Sequence, residues 1–142
     1  MRLIVDTNVL ISFFRENPVR DIIMNSALFG LQLFTPEYAI SELKNNKSDL
    51  TKYSGLLGKD LEFAIMLLGF FIEIKSDDFF VEFKDKSENL SPDLKDAPFF
   101  ALALKLECGI WSNEPRLKQQ KSVEVLSSPD LRKLLLSGEP NK

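Results

Sequence analysis

Residues 1–14 read MRLIVDTNVLISFF. The run Leu3-Ile4-Val5 is apolar at consecutive positions and partly β-branched, which predicts a strand over residues 2–5. Apolar side chains on both faces fit a fully buried strand, as in a parallel sheet. Thr7 and Asn8 are helix-start residues, and Val9, Leu10, Phe13 and Phe14 follow at helical spacing. A strand therefore feeds almost directly into a helix. Between the two stands Asp6. An ionised acid at the end of a buried strand is costly unless something compensates its charge.

The same alternation runs on along the chain. Pro18 opens a helix with Val19, Ile22, Ile23 and Leu28 on one face, stopped at Gly30. Residues 31–35 predict a strand, and Pro36 is placed as the first residue of a helix carrying Tyr38, Ala39, Ile40 and Leu43. A short helix over 49–57 precedes another after Gly58, with Leu61, Ala64, Ile65 and Leu68, closed by Gly69. Then come a strand over 71–74, an amphipathic helix over 77–86 and a polar loop over 87–92. A helix over 96–107 is apolar nearly all round and predicts burial. Strands at 109–112 and 123–126 and a helix capped by Ser128-Pro129-Asp130 complete the chain. Strands alternating with helices predict an α/β protein with a mostly parallel sheet of about five strands, covered on both faces. The length of 142 residues predicts one domain over 1–137, with 138–142 as a disordered tail.

Composition narrows the chemistry. Hydrophobic residues are 44% and charged residues 27%, the balance of an ordinary soluble domain. The net charge of −3 gives no basic surface to advertise nucleic acid by bulk electrostatics. With 1 Cys, no internal disulfide can form, and with 0 His, imidazole bases, Ser-His triads and His-held zinc are excluded. Acid–base or metal work would fall to carboxylates, which favour hard cations. There is no signal-peptide pattern and no apolar run of membrane-spanning length, so a cytoplasmic protein without a membrane partner is expected.

In open parallel sheets, sites form beyond the carboxyl ends of the strands. Asp6 ends the first strand, Glu42 lies on the helix after the second, and Glu114 follows the fourth. Pro98 is tolerated only in the first turn of its helix, which sets Asp96 at that helix's N-terminus, where the dipole favours an ionised acid. Four acids on four segments would repel one another unless cations sit between them. Mg²⁺ or Mn²⁺ suits such an all-oxygen set and keeps waters for a substrate phosphate. The same ions can generate hydroxide for in-line attack at phosphorus, chemistry that needs no histidine.

Four stretches carry a resemblance. Val-Asp-Thr-Asn-Val-Leu-Ile-Ser at 5–12 resembles the opening of PIN-domain ribonucleases. So do Ile-Ser-Glu-Leu at 40–43, Asp-Ala-Pro-Phe-Phe-Ala-Leu-Ala-Leu at 96–104, and Ile-Trp-Ser-Asn-Glu at 110–114. Their order and spacing match across nearly the whole chain. The resemblance implies a three-layer α/β/α sandwich and metal-dependent endoribonucleolytic cleavage of RNA. It implies that Asp6, Glu42 and Asp96 bind Mg²⁺ or Mn²⁺, with Glu114 in the place of the fourth acid. Asn8 and Ser112 match polar positions that hold the acids or water. Many small members are VapC-type toxins of toxin–antitoxin pairs, which makes an antitoxin and a second copy of the chain the expected protein partners. The chain departs from the family at two places. Glu114 stands where Asp is usual, and Arg116 stands two residues on, where a further Asp often follows.

Those departures keep an alternative open, a PIN-like domain that binds RNA or protein without cutting. A haloacid-dehalogenase-like phosphatase needs a second Asp where Asn8 stands, and a receiver domain needs an early acidic pair; neither pattern is present. A structure-specific DNA nuclease would need insertions for which the chain has little room. The basic residues Arg15, Arg20, Lys44, Lys47, Lys95, Arg116, Lys118 and Lys121 are expected near the site's edge, as solvated surface or phosphate contacts. The Phe pairs at 13–14, 70–71, 79–80 and 99–100 read mainly as core, with Phe79-Phe80 a candidate for a partner groove. Cys108 reads as an inert core thiol.

Overall fold

The computed structural model describes residues 1–137, so the stretch 138–142, expected as a tail, lies outside the described residues. The first strand, β1, spans Arg2–Val5, and Leu3, Ile4 and Val5 are all buried, as a strand covered on both faces requires. It runs into α1 (Thr7–Ile11), a single 3₁₀ turn (Ser12–Phe14) and α2 (Pro18–Met24). The remaining strands are β2 (Gln32–Pro36), β3 (Ile72–Lys75), β4 (Gly109–Trp111) and β5 (Val125–Leu126). Between β2 and β3 lie α3 (Glu37–Asn45), α4 (Lys47–Ser54) and α5 (Gly58–Phe71). Between β3 and β4 lie α6 (Lys84–Leu90) and α7 (Ala97–Leu106), and α8 (Ser128–Ser137) closes the chain.

The five strands form one sheet in the order β3-β2-β1-β4-β5. Every pairing is parallel, so the sheet is wholly rather than mostly parallel. Ile4 sits beside Phe34 on one side and Ile110 on the other, which puts β1 at the centre. Helices cover both faces, giving the three-layer α/β/α arrangement. The apolar α7 lies across β1, β2 and β4, with Phe99, Phe100, Ala101, Leu102 and Ala103 buried. From β1 the chain winds outward to β2 and β3, then crosses back to β4 and β5. The reversal falls between β1 and β4, and ligands of open α/β sheets bind beyond the carboxyl ends at such a point.

Several boundaries differ from the sequence expectation. The helix from Pro18 ends at Met24, not Gly30, with Asn25 as its C-cap, whose side-chain amide folds back onto the Asp21 carbonyl at 2.8 Å. Leu28, expected on its buried face, is consequently exposed. Pro36 ends β2 and caps α3 rather than opening it. Gly69 does not close α5, which continues to Phe71 and passes directly into β3. The segment 77–86 is split: a 3₁₀ stretch, Asp77–Phe83, kinks at Phe80 before α6 begins. Residues 87–90, expected as loop, are the last turn of α6, where the buried Ser87 hydroxyl donates to the Lys84 carbonyl at 2.8 Å.

Candidate active site

The carboxyl edge of β1 and β4 is built by the residues that leave those strands. Asp6 continues the ladder, its N–H donating to the Trp111 carbonyl at 3.0 Å. Its backbone stays extended while α1 begins at the next residue, so Asp6 is itself the N-cap that Thr7 and Asn8 were expected to provide. One carboxylate oxygen, Oδ1, accepts from the Thr7 N–H at 2.8 Å, and the other, Oδ2, accepts from the Ser112 hydroxyl at 2.7 Å. The residue is buried. Burial, the strongest influence, pushes its carboxyl above the ordinary range, the two hydrogen bonds oppose that push, and the negative charges of Asp96 and Glu42 add to it. Asp96 and Glu42 therefore act on Asp6 from the same neighbourhood, as their places at the carboxyl edge of the sheet had led us to expect.

Glu42 reaches this edge from the second turn of α3. Its Oε1 accepts from the Thr7 hydroxyl at 2.6 Å, which ties α3 to α1. Tyr38, one turn earlier on α3, packs edge-on against Phe99 with ring centroids 6.2 Å apart. Its phenol is held above the ordinary range by burial, then by the charge of Glu42 and a hydrogen bond to it, then by Asp96 and Asp93. The sequence reading took Tyr38 as a core residue of the helix. The signal that could have found it is its i, i+4 spacing to Glu42, which sets the two on one helix face.

Asp96 ends a 3₁₀ turn, Leu94–Asp96, and precedes α7 with Pro98 in the first turn, as expected. Its side chain makes no cap bond to α7. It pairs instead with Arg116, whose Nη2 lies 3.0 Å from Oδ1 and whose Nε lies 3.3 Å from Oδ2. The same guanidinium gives Nη1 to Glu114 Oε2 at 2.8 Å. Arg116 belongs to a 3₁₀ turn, Pro115–Gln119, that follows the β4 edge. Its own charge state is reinforced first by Asp96, then by Glu114 and Asp6.

Ser112 and Asn8, matched as supporting positions, join the two strand ends. The Ser112 oxygen accepts from the Glu114 N–H at 3.1 Å and from the Asn8 amide at 3.5 Å, while Asn8 Oδ1 accepts from the Asn113 N–H at 3.4 Å. Asn113 Oδ1 in turn accepts from the Ser128 N–H at 2.7 Å. The loop after β4 is thus fixed on three sides, and it presents Glu114 and Arg116 from a defined base.

The basic residues divide. Arg116 enters the acidic cluster rather than lining its edge. Lys47 pairs with Glu62 and Lys118 with Asp130, and Arg15 lies over the Tyr53 ring at 5.4 Å. The Arg20 Nε is buried and has no hydrogen-bond partner among the described residues. Phe79 lies between Lys75 and Lys105 at 4.4 and 5.3 Å, and the buried Phe80 lines a cavity with Val81, Leu94, Ala97 and Pro98. Cys108 is partly buried, and burial pushes its thiol up to about 11, which makes it unreactive near neutrality.

A parallel α/β/α sheet carries acids from the end of β1, from α3, from the turn before α7 and from the β4 loop near its switch point. Residues 4–124 match the sequence profile of the PIN domain, and the chain belongs to that family. PIN domains are generally metal-dependent nucleases. No curated protein matches the chain.

The donor chemistry here suits such a cation: the acids are all-oxygen ligands, and those around Asp6 are left with surplus negative charge. Their arrangement is not closed around a single point, since no three acids among the described residues stand together at coordinating positions. The cation that does stand among them is the Arg116 guanidinium.

Proposed function

We propose that the chain is a metal-dependent endoribonuclease. What supports this reading is the buried Asp6 at the carboxyl end of β1, on whose carboxyl the charges of Asp96 and Glu42 both act from separate elements. These three would hold Mg²⁺ or Mn²⁺, with Glu114 joining directly or through water. When bound, the ion supplies a Lewis acid and an activated water for phosphodiester hydrolysis.

The chain's own residues prepare the site. The Thr7 N–H and the Ser112 hydroxyl fix both oxygens of Asp6, so its carboxylate cannot swing away. The Thr7 hydroxyl ties Glu42 to the start of α1, beside Asp6. Asn8 and Asn113 set the height of the β4 loop and with it Glu114. RNA is the substrate in this reading, and an antitoxin and a second copy of the chain are its protein partners. The exposed apolar side chains Phe63, Met66 and Phe70 on α5, with Leu57 just before it, support a protein contact of that kind.

A second reading, a PIN domain that binds RNA or protein without cutting, is favoured by one observation, the Arg116 guanidinium seated on Asp96 and Glu114. One experiment separates the two. Mn²⁺ is titrated calorimetrically into the chain and into Asp6→Asn, and both are assayed on a panel of structured RNAs. Saturable binding and cleavage, lost together in the variant, are expected. Binding without cleavage of any RNA would favour the second reading, and absence of Mn²⁺ binding to the parent chain would overturn the metal site.

A further inference from the structure

Two residues beyond Glu114 the chain carries a cation, in the stretch Glu114-Pro115-Arg116. The side chain is not turned out to solvent. It lays one edge, Nε and Nη2, along both oxygens of Asp96, and gives the remaining nitrogen, Nη1, to Glu114. A guanidinium is planar, presents its donors in a rigid fork and stays charged at any working pH, so it is suited to hold two carboxylates at once. The Asp96 side chain is 5% exposed, and among the described residues Arg116 is the cation paired with it. The base of Arg116 is also fixed. Pro115 restricts the backbone before it, and the next residue, Leu117, is buried in the core.

We infer that Arg116 is a built-in counter-cation: its guanidinium takes the place of a second divalent ion between Asp96 and Glu114, leaving one ion for the site that Asp6, Glu42 and Asp96 share. The inference rests on the metal reading above. A carboxylate offers about four lone-pair positions, and the guanidinium uses one on each oxygen of Asp96. Part of Asp96's acceptor capacity is therefore taken by Arg116, whose charge repels a second divalent ion placed between Asp96 and Glu114. Among the described residues Asp6 has no ion-pair partner; its oxygens accept from the neutral Thr7 N–H and the Ser112 hydroxyl. Positive charge is thus supplied covalently between Asp96 and Glu114 and left to a bound ion at the site shared with Asp6.

The test counts ions. The full chain, stripped with EDTA, is titrated with Mn²⁺ beside Arg116→Gln and Arg116→Lys, with bound ion counted by calorimetry and by electron paramagnetic resonance. The parent should bind one ion per chain, Arg116→Gln should gain a second, and Arg116→Lys, which keeps the charge, should stay at one. Without metal, Arg116→Gln should melt lower than the parent, and Mn²⁺ should restore it, a readout that needs no RNA. Circular dichroism shows whether each variant is folded. A parent that already binds two ions overturns the inference, as does an Arg116→Gln that binds one ion with unchanged affinity; in both cases the metal reading stands. Absence of Mn²⁺ binding to parent and variant alike overturns the inference and the metal reading together.

Discussion

Asp6 is held in its place against its own stability. Burial raises its carboxyl above the ordinary value of 3.8, and the charges of Asp96 and Glu42 raise it further. The folded chain therefore binds that proton more tightly than the unfolded chain. By linkage, the group's contribution is fully present below 3.8 and is lost as pH rises through the folded value. At neutral pH the ionised form opposes folding. Asp6→Asn keeps the shape and the bond from the Thr7 N–H but removes the charge. In EDTA at pH 7 it should melt above the parent chain, with the gap narrowing as pH falls toward 3.8, read by thermal denaturation across pH. A variant that loses metal binding yet gains stability marks an acid kept for function. Ser112→Ala acts in the opposite direction. It removes the donor to Asp6 Oδ2 and the acceptor for the Glu114 N–H, and should cost about 1–3 kcal/mol in denaturant unfolding. At this scale the acids themselves were legible, because chain order alone sends Asp6, Glu42 and Asp96 to one edge of a parallel sheet. The roles of Tyr38 and Arg116 were not. A Tyr at helical spacing reads as core, and where Arg116 spends its charge depends on the turn of the β4 loop, which no periodicity encodes.

Among the elements, α8 shows how a terminus is specified. The Ser127 hydroxyl accepts from the Asp130 N–H at 3.1 Å, and the Asp130 carboxylate accepts in return from the Ser127 N–H at 3.0 Å. This is a reciprocal capping box with Asp in the third position, its cap Ser127 one residue before the Ser128-Pro129-Asp130 cap expected from sequence, while α8 itself starts at Ser128. Lys118 adds a second partner at 2.8 Å and is the leading cause that holds Asp130 down at about 2, ahead of the bonds to Ser127. The sign is that of a lowered acid: its stabilisation is present above 3.8 and is lost as pH falls through about 2. Asp130→Ala should cost about 1 kcal/mol at pH 7, the usual loss for a helix cap. Lys118→Met should cost less, because both ends of that pair are close to half exposed and solvent screens it. Thermal melts of the two variants at pH 7 check the order. The neighbouring strand pair gives a second case. A Cβ on Gly109 would stand 3.0 Å from the Glu124 carbonyl, which already accepts the Ile110 N–H at 2.9 Å. Gly109→Ala should therefore loosen β4 from β5 and cost about 1–3 kcal/mol, the range for overpacking, measured by urea unfolding. Two of the helix ends that were misjudged share one physical cause. Asn25 and Ser87 end or extend a helix through side-chain bonds to backbone carbonyls, and such bonds leave no mark in apolar spacing.

For the whole molecule, the sheet order decides where chemistry can occur. The order β3-β2-β1-β4-β5 places the reversal beside β1, and the two loops at that crevice bear Asp6 and Glu114. The fold was legible from sequence because a parallel sheet needs only a repeating strand–helix alternation, and α7 announced its central place by being apolar all round. Burial on both faces of β1 makes the frame rigid, so the acids are brought together by folding and cannot relax apart. Their repulsion is then a property of the folded state that the unfolded chain lacks. An ion that binds the cluster binds the folded state preferentially, and stability must rise with its concentration. At an Mn²⁺ concentration 100-fold above the dissociation constant, the added stability should be about 2.7 kcal/mol. For a chain of this length that corresponds to a rise in melting temperature of roughly 8–10 °C. Differential scanning calorimetry over a series of Mn²⁺ concentrations checks it, with Asp6→Asn as the control expected to stay flat. A parent chain whose melting temperature ignores Mn²⁺ would mean that Arg116 and the hydrogen bonds to Asp6 already satisfy the cluster, leaving the frame a binding domain with an internally neutralised site.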